Sequence, residues 1–333
     1  MENILPVGID VGSQELVVAF YGTDEIMKFG NKAGGHKALY KTIGKRMKDS
    51  GAERCRIAIE ATGIYSLKLS MFLAAKEDVD LHVLNPAQAR AYAQSKLSRT
   101  KTDESDARML AELAAMHNDL PLWAMPSDLW LELKTLIGRR DSLMVRLTAI
   151  KNQGHALSFN PKPHRDVKLS QSRETKFLEK EIAAIEKSVG KLLNSNPEWS
   201  EAKKNLETIP GVGEVSSARI LSVFGPDVSN LTAGKCTAMT GLDVSEFKSG
   251  TSINRKAHIS KKGNAKLRAT LYIAAMVGVR YNPILKEFYE KLLMKGKLKK
   301  VALIACEKKL VHIAFGVLKN RMPFDPNFDA IPA

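Results

Sequence analysis

Along the first part of the chain, short apolar runs alternate with stretches of helical periodicity. Residues 4–10 form a short apolar run that ends in an acid, Asp10. Gly12 follows as a turn, residues 16–21 are a second β-rich run, and 25–29 fit a third. Gly34 and Gly35 lead into a helical stretch that ends near Gly51. Residues 55–60 (CRIAIE) read as a buried strand, again ending in an acid, Glu60. A helix is predicted over 64–76 and a strand over 80–84, and Pro86, at a first helical position, opens another helix. A basic loop over 95–102, carrying Arg99 and Lys101, precedes a helix from about 103 to 116. An initial strand meander followed by α/β alternation implies one mixed sheet flanked by helices, with a domain boundary near residue 127.

The pattern then changes. Leu129, Leu133, Leu136, Leu143, Leu147 and Ile150 fall at alternating spacings of four and three, with Arg140 at an intervening position. Leu178, Ile182, Ile185, Val189 and Leu192 repeat the pattern, and Asn160-Pro161-Lys162-Pro163-His164 breaks the helix between the two runs. Residues 128–196 therefore read as a helical hairpin with a coiled-coil seam, serving as a dimerisation arm or a nucleic-acid-facing spacer; ordinary helix packing within one globule remains the alternative. Residues 197–333 look all-helical around a basic, Gly- and Ser-rich insertion between Lys248 and Gly263. The apolar stretch 301–318 carries Glu307, Lys308 and Lys309 in its middle, so it reads as a packed helix rather than a membrane span.

Charge narrows the class of partner. Among 333 residues, 51 Lys and Arg stand against 36 Asp and Glu, a formal surplus of +15. Such an excess suits a polyanion, because Lys and Arg displace counterions from phosphates; general solubility and an anionic membrane surface are the competing readings. With 44% hydrophobic and 26% charged residues the chain is not expected to be disordered. Cys55, Cys236 and Cys306 are scattered and odd in number, which indicates neither a disulfide framework nor a zinc site and suits a reducing compartment. The first residues have no basic segment followed by an apolar one, so no signal peptide is expected, and the expected location is cytoplasmic.

Four acids stand out. Asp10 and Glu60 end apolar strands, where a side chain reaches solvent from a rigid base. Asp103 and Asp106, spaced i, i+3, share a helix face. Carboxylates brought together repel one another unless a cation sits among them, and such hard oxygen ligands suit Mg²⁺, with Mn²⁺ as the alternative. The competing reading is local: Asp103 as an N-cap, Asp106 favoured by the helix dipole, and Asp10 bonded within the Val11-Gly12 turn. Farther on, residues 205–225 (NLETIPGVGEVSSARILSVFG) fit a helix-hairpin-helix element whose Gly211 and Gly213 present backbone N–H groups to a phosphate; a turn that merely packs two helices is the alternative. From Glu246 to Glu287 no acid occurs, while Lys248, Arg255, Lys256, Lys261, Lys262, Lys266 and Arg268 do, a one-sign field suited to DNA or RNA backbone.

The segments GIDVGSQELVVAF, IAIEATGIY and KTDESDARMLAEL resemble, in order and spacing, the DEDD-type N-terminal domain of transposases of the insertion sequence 110 family. The segment GLDVSEFKSGTSINRKAHISKKGNAKLRATL resembles that family's C-terminal transposase domain. The resemblance implies a ribonuclease H-like, Holliday-junction resolvase-like α/β domain whose acids fall on Asp10, Glu60, Asp103 and Asp106. It also implies a nucleophilic serine, which maps best onto Ser249 with Ser252 as the close rival. It further implies donor and target DNA as partners, a structured non-coding guide RNA, and action as a homodimer or tetramer. Two rivals stand against this reading: a hydrolytic structure-specific nuclease using the same acids with water, and a non-enzymatic nucleic-acid-binding protein.

Overall fold

The computed structural model describes residues 3–61, 63–96, 102–116, 120–249 and 253–327, with the backbone alone for 247–249 and 253–256. It divides into two compact units, Met1–Pro126 and Ser127–Ala333. No helix among the described residues is long and apolar enough to cross a membrane, and Cys55, Cys236 and Cys306 are buried free thiols.

The first unit follows the meander and α/β alternation of its sequence: β1 (Ile4–Val11), β2 (Glu15–Phe20), β3 (Ile26–Gly30), α1 (Ala33–Ser50), β4 (Arg54–Glu60), α2 (Ile64–Ala74), β5 (Val79–Leu84), α3 (Pro86–Ser95) and α4 (Asp103–Met116). The sheet order is β3-β2-β1-β4-β5. β1 runs antiparallel to β2 and parallel to β4, and β5 is parallel to β4. Because side chains alternate across a strand, the sheet has two unlike faces. Val7, Ile9, Ile57, Ile59, Leu16, Val18 and Phe20 point to one face and pack with Leu39 and Ile43 of α1 and Leu69 and Leu73 of α2. Burying each of these side chains contributes roughly 1.5–3 kcal/mol, and this layer supplies most of the unit's core.

The opposite face carries small residues where α4 crosses. A Cβ placed on Gly8 would lie 2.1 Å from the Ala107 carbonyl oxygen and 2.2 Å from the Ala111 nitrogen. The helix backbone therefore rests directly on β1. Ala107 and Ala111 pack with Val17 and Ala19, while Leu110, Leu113 and Ala114 pack with Ala58 and Leu84. Glycine inside a strand marks this kind of backbone approach.

The second unit opens with two long helices, α5 (Asp128–Ser158) and α6 (Arg165–Asn194), joined by the Pro-containing break. Leu143, Leu147, Ile150, Leu178 and Ile182 fill the seam between them, and Arg140, at the polar position in the first run, donates to Glu186 at 2.7 Å across it. Nearer the base, Ile137 and Leu193 are buried where the pattern pointed to Leu136 and Leu192, because the hairpin there also packs on the following helices. These are α7 (Pro197–Glu207), α8 (Glu214–Phe224), α9 (Ala233–Thr240), α10 (Ala265–Tyr281), α11 (Pro283–Met294) and α12 (Lys299–Asn320). The expectation that this part is all-helical needs one correction. The basic insertion is largely a two-stranded antiparallel hairpin, β6 (Val244–Ser249) and β7 (Ile253–Ile259). Its Gly- and Ser-rich composition hid two short strands whose ladder runs from Val244 opposite Ile259 to Ser249 opposite Ile253.

The turn between α7 and α8 separates the roles of its two glycines. Gly211 has φ +104°, and a Cβ on it would lie 2.5 Å from the Ala274 carbonyl oxygen of α10. Gly213 is the N-cap of α8 and faces open space. Gly211→Ala should therefore destabilise the protein by about 2 kcal/mol or more through strain and backbone clash, while Gly213→Ala should cost under about 1 kcal/mol. Urea unfolding of the two variants checks this; equal costs would mean that the turn does not rest on α10.

Candidate active site

Asp10 and Glu60 become neighbours through strand register. β1 and β4 are parallel with Ile9 paired to Ile59, so Asp10 and Glu60 come next on adjacent strands. By alternation both lie on the face of Gly8 and Ala58, the face that α4 covers. With Ala107 over Gly8, the first turn of α4 lies toward the strand ends, and it carries Asp103, Glu104 and Asp106.

The start of α4 is capped without Asp103. The Ser105 backbone N–H donates to the Thr102 hydroxyl at 3.1 Å, and the Thr102 N–H donates to the Ser105 hydroxyl at 2.9 Å. This reciprocal arrangement satisfies two backbone donors at the start of the helix. The N-cap alternative for Asp103 is thereby taken by Thr102, and Asp103 stays exposed while Asp10, Glu60 and Asp106 are partly buried.

Electrostatics tie the four acids together. The Asp10 carboxyl is raised from 3.8 to about 6, first by burial and then by the negative charges of Asp103, Asp106 and Glu60; a hydrogen bond from the Val11 backbone opposes the rise. Among the described residues, no three His, Cys, Asp or Glu side chains converge tightly enough to hold an ion as they stand. Asp10 lies within the fields of the other three carboxylates, which do not form a closed cage. Their donor set consists of hard oxygens alone, which fits Mg²⁺ or Mn²⁺ better than softer ions, and a divalent cation among them would offset the repulsion that raises Asp10.

The second unit holds the other candidates. Ser249 closes the β6–β7 ladder opposite Ile253, with Lys248 opposite Asn254 and Arg255 opposite Phe247; Lys256 follows on β7. Ser252, Arg99 and Lys101 lie outside the described residues. Below the hairpin, Ser260–Asn264 is pinned to the end of α9: Lys261 N–H donates to the Gly241 carbonyl at 3.0 Å and Asn264 N–H to the Met239 carbonyl at 2.7 Å. Lys261 adopts φ +57°, and Lys261 and Lys262 are exposed. Arg268 is turned inward, donating from Nη1 to the Thr240 carbonyl at 2.9 Å. Near it lies Glu307, 1% exposed, with its carboxyl pushed up to about 7 by burial and held back by the Arg268 charge. The backbone of Gly211 faces α10, and only Gly213 of the two turn glycines meets open space. Sequence reasoning passed over Gly8, although a glycine inside the apolar run of 4–10 was the available signal.

The chain matches the family model of DEDD-type IS110 transposases, described as Transposase, over residues 7–157. It matches a second model, described as Transposase IS116/IS110/IS902 family, over residues 203–290. It is 30% identical to the pilin gene-inverting protein of Moraxella lacunata over 96% of this chain and 97% of that protein. The pilin gene-inverting protein of Moraxella bovis is 29% identical over the same shares. A 43.6 kDa insertion element IS110 protein of Streptomyces coelicolor is 26% identical over 41% of this chain and 33% of that protein.

The raised Asp10 has a consequence for stability. Its carboxyl ionises near 6 in the fold and near 3.8 when unfolded, so its charge opposes folding as pH rises through that window. In the presence of a chelator, Asp10→Asn should stabilise the protein by about 1 kcal/mol at pH 8, after allowance for solvent screening. The gain should disappear below about pH 4, where the carboxyl is protonated in both states. Thermal melts across that range check it, and a gain independent of pH would remove charge repulsion as the cause.

Proposed function

The chain belongs to the IS116/IS110/IS902 family of transposases, which act on DNA, and from that premise we propose that it cuts and rejoins DNA through a two-part site. One part is the carboxylate set Asp10, Glu60, Asp103 and Asp106; the other is Ser249 at the closing pair of the hairpin. The observation that carries the reading is the mutual field of the four acids at the end of β1 and β4, built by register and by the contact of α4 with Gly8. In this reading the chain keeps three functional segments, 1–127, 128–196 and 197–333.

Asp10, Glu60, Asp103 and Asp106 would hold Mg²⁺ or Mn²⁺. The bound ion would supply Lewis-acid stabilisation of a phosphate undergoing displacement. Ser249 attacks a DNA phosphorus: the Oγ–P bond forms, one bridging P–O bond of the strand breaks, and the hydroxyl proton leaves to a base. A strand hydroxyl then attacks the phosphoserine and releases the serine. One ester bond replaces another at each step, so rejoining needs no external energy source. Lys248 and Arg255 supply positive charge for the phosphate, with Lys256, Lys261 and Lys262 adding backbone attraction.

Near full-length similarity to two pilin gene-inverting proteins supports a recombinase that moves or inverts a defined DNA segment. The family resemblance further suggests a structured guide RNA whose pairing selects donor and target, leaving the protein to read shape and backbone. It also suggests a dimer or tetramer.

Incubating the protein with labelled DNA and Mg²⁺, followed by denaturing electrophoresis and peptide mapping, tests the reading. Asp10→Ala, Glu60→Ala or Asp106→Ala should lower strand cleavage at least about a hundredfold while DNA binding survives, because several kcal/mol of transition-state stabilisation are lost. Ser249→Ala should abolish the covalent protein–DNA adduct without altering binding. Full recombination by any acid variant would overturn the carboxylate site. An adduct lost only in Ser252→Ala would move the nucleophile, and cleavage with no adduct would favour the hydrolytic nuclease.

A further inference from the structure

The turn between α11 and α12 lies beyond both family matches, the second of which ends at residue 290. The turn and the helix ends that flank it carry Lys291, Lys295, Lys297, Lys299 and Lys300, and no acid occurs from there until Glu307. All five lysines are exposed. On the α5–α6 arm, by contrast, Arg140 faces Glu186, Arg146 faces Glu174 and Lys151 faces Glu179. None of the five turn lysines has an acidic partner among the described residues.

Backbone hydrogen bonds also close the turn. Lys295 N–H donates to the Lys291 carbonyl at 3.2 Å, Gly296 N–H to Leu293 at 2.9 Å and Lys297 N–H to Leu292 at 3.1 Å, with Gly296 at φ +75° closing the helix end. α12 then starts with no side-chain cap and no acid in its first turn. Lys299 and Lys300 occupy that turn, so their charges oppose the positive end of the helix dipole. Met294 and Leu298, 81% and 75% exposed, stand among the lysines. A merely solvated face would interleave acids and would not need two large apolar side chains at its tip.

We infer that this turn is a second contact for a phosphodiester backbone, separate from the β6–β7 hairpin, with the lysines on phosphates and Met294 and Leu298 against sugars or base edges. The inference rests on the proposed function only for the nature of the partner. A nucleic acid fits better than an anionic membrane. The apolar side chains form a small tip rather than the long apolar face by which an interfacial helix embeds, and the inner sides of α11 and α12 are committed to the core through Leu285, Ala302, Cys306 and Leu310.

Fluorescence anisotropy on the full chain tests this, with labelled duplex DNA and labelled single-stranded RNA at several salt concentrations. Replacing Lys295, Lys297, Lys299 and Lys300 with Gln together should lower the slope of log affinity against log salt by about 0.9 for each duplex phosphate no longer neutralised, and about 0.7 for each on single strands. Which probe is weakened more identifies DNA or RNA as the source of the phosphates. Met294→Ala with Leu298→Ala should weaken binding about fivefold at every salt concentration and leave the slope unchanged. Circular dichroism melts control for folding, and Lys299→Gln with Lys300→Gln provides a milder variant. Unchanged slopes on both probes overturn the inference and leave the proposed function standing. Loss of binding only to phosphatidylcholine–phosphatidylserine vesicles overturns it in favour of a membrane. Failure of the unaltered chain to bind either nucleic acid overturns both readings.

Discussion

The contact of α4 with β1 is the constraint on which the carboxylate site depends. Two backbones approach so closely at Gly8 that no side chain fits between them. Ala107 and Ala111, on the helix side, are small enough to allow it. That approach fixes the height and rotation of α4, and therefore where Asp103 and Asp106 lie relative to the strand ends. A methyl group at Gly8 would lift the helix, and the acids on its first turn would move with it. The opposite face of the sheet has no such requirement, because the branched residues there can fill whatever gap α1 and α2 leave.

Charge is distributed with a similar economy of position. Acids gather where β1, β4 and α4 converge, and the Asp10 carboxyl records the cost of holding them there. Basic residues collect in the second unit, around the hairpin and in the α11–α12 turn. The net surplus of +15 thus combines a group of acids with basic surfaces rather than a uniform positive field. A phosphate ester would be drawn by the cations but repelled by the bare acids, which is why a cation among the carboxylates is the natural counterpart of the proposed chemistry.

Much of this was legible from periodicity. The element order of the first unit, the seam of the α5–α6 arm and the strand-end placement of Asp10 and Glu60 all follow from spacing, because a single buried face dictates each pattern. What stayed hidden were the close approaches. The glycines at 8 and 211 sit where two backbones touch, and nothing local marks the partner, since α4 and α10 arrive from far along the chain. The β6–β7 hairpin was obscured by composition, as its small and basic residues resemble a loop. Glu307, read as a charge that excludes a membrane span, is itself buried, because the aliphatic face of α12 carries it into the core beside Arg268.

The hairpin raises the question of how a two-stranded ribbon, marginal on its own in water, could hold the proposed nucleophile in place. Its root supplies the rigidity. Gly241 and Gly263 meet back to back, with a Cβ on Gly263 only 2.3 Å from the Gly241 nitrogen. The backbone bonds of Ser260, Lys261 and Asn264 to α9 and its following turn lock the strand ends, and Asn264 also caps α10 by accepting from Leu267 N–H at 2.9 Å. Arg268 then crosses to the Thr240 carbonyl. Two helices and a left-handed lysine thus define the direction in which the strands leave the core. Ser249 stands at the far, closing pair of those strands, so under the proposed function a substitution at Gly241, Gly263 or Arg268 would act on the serine without touching it.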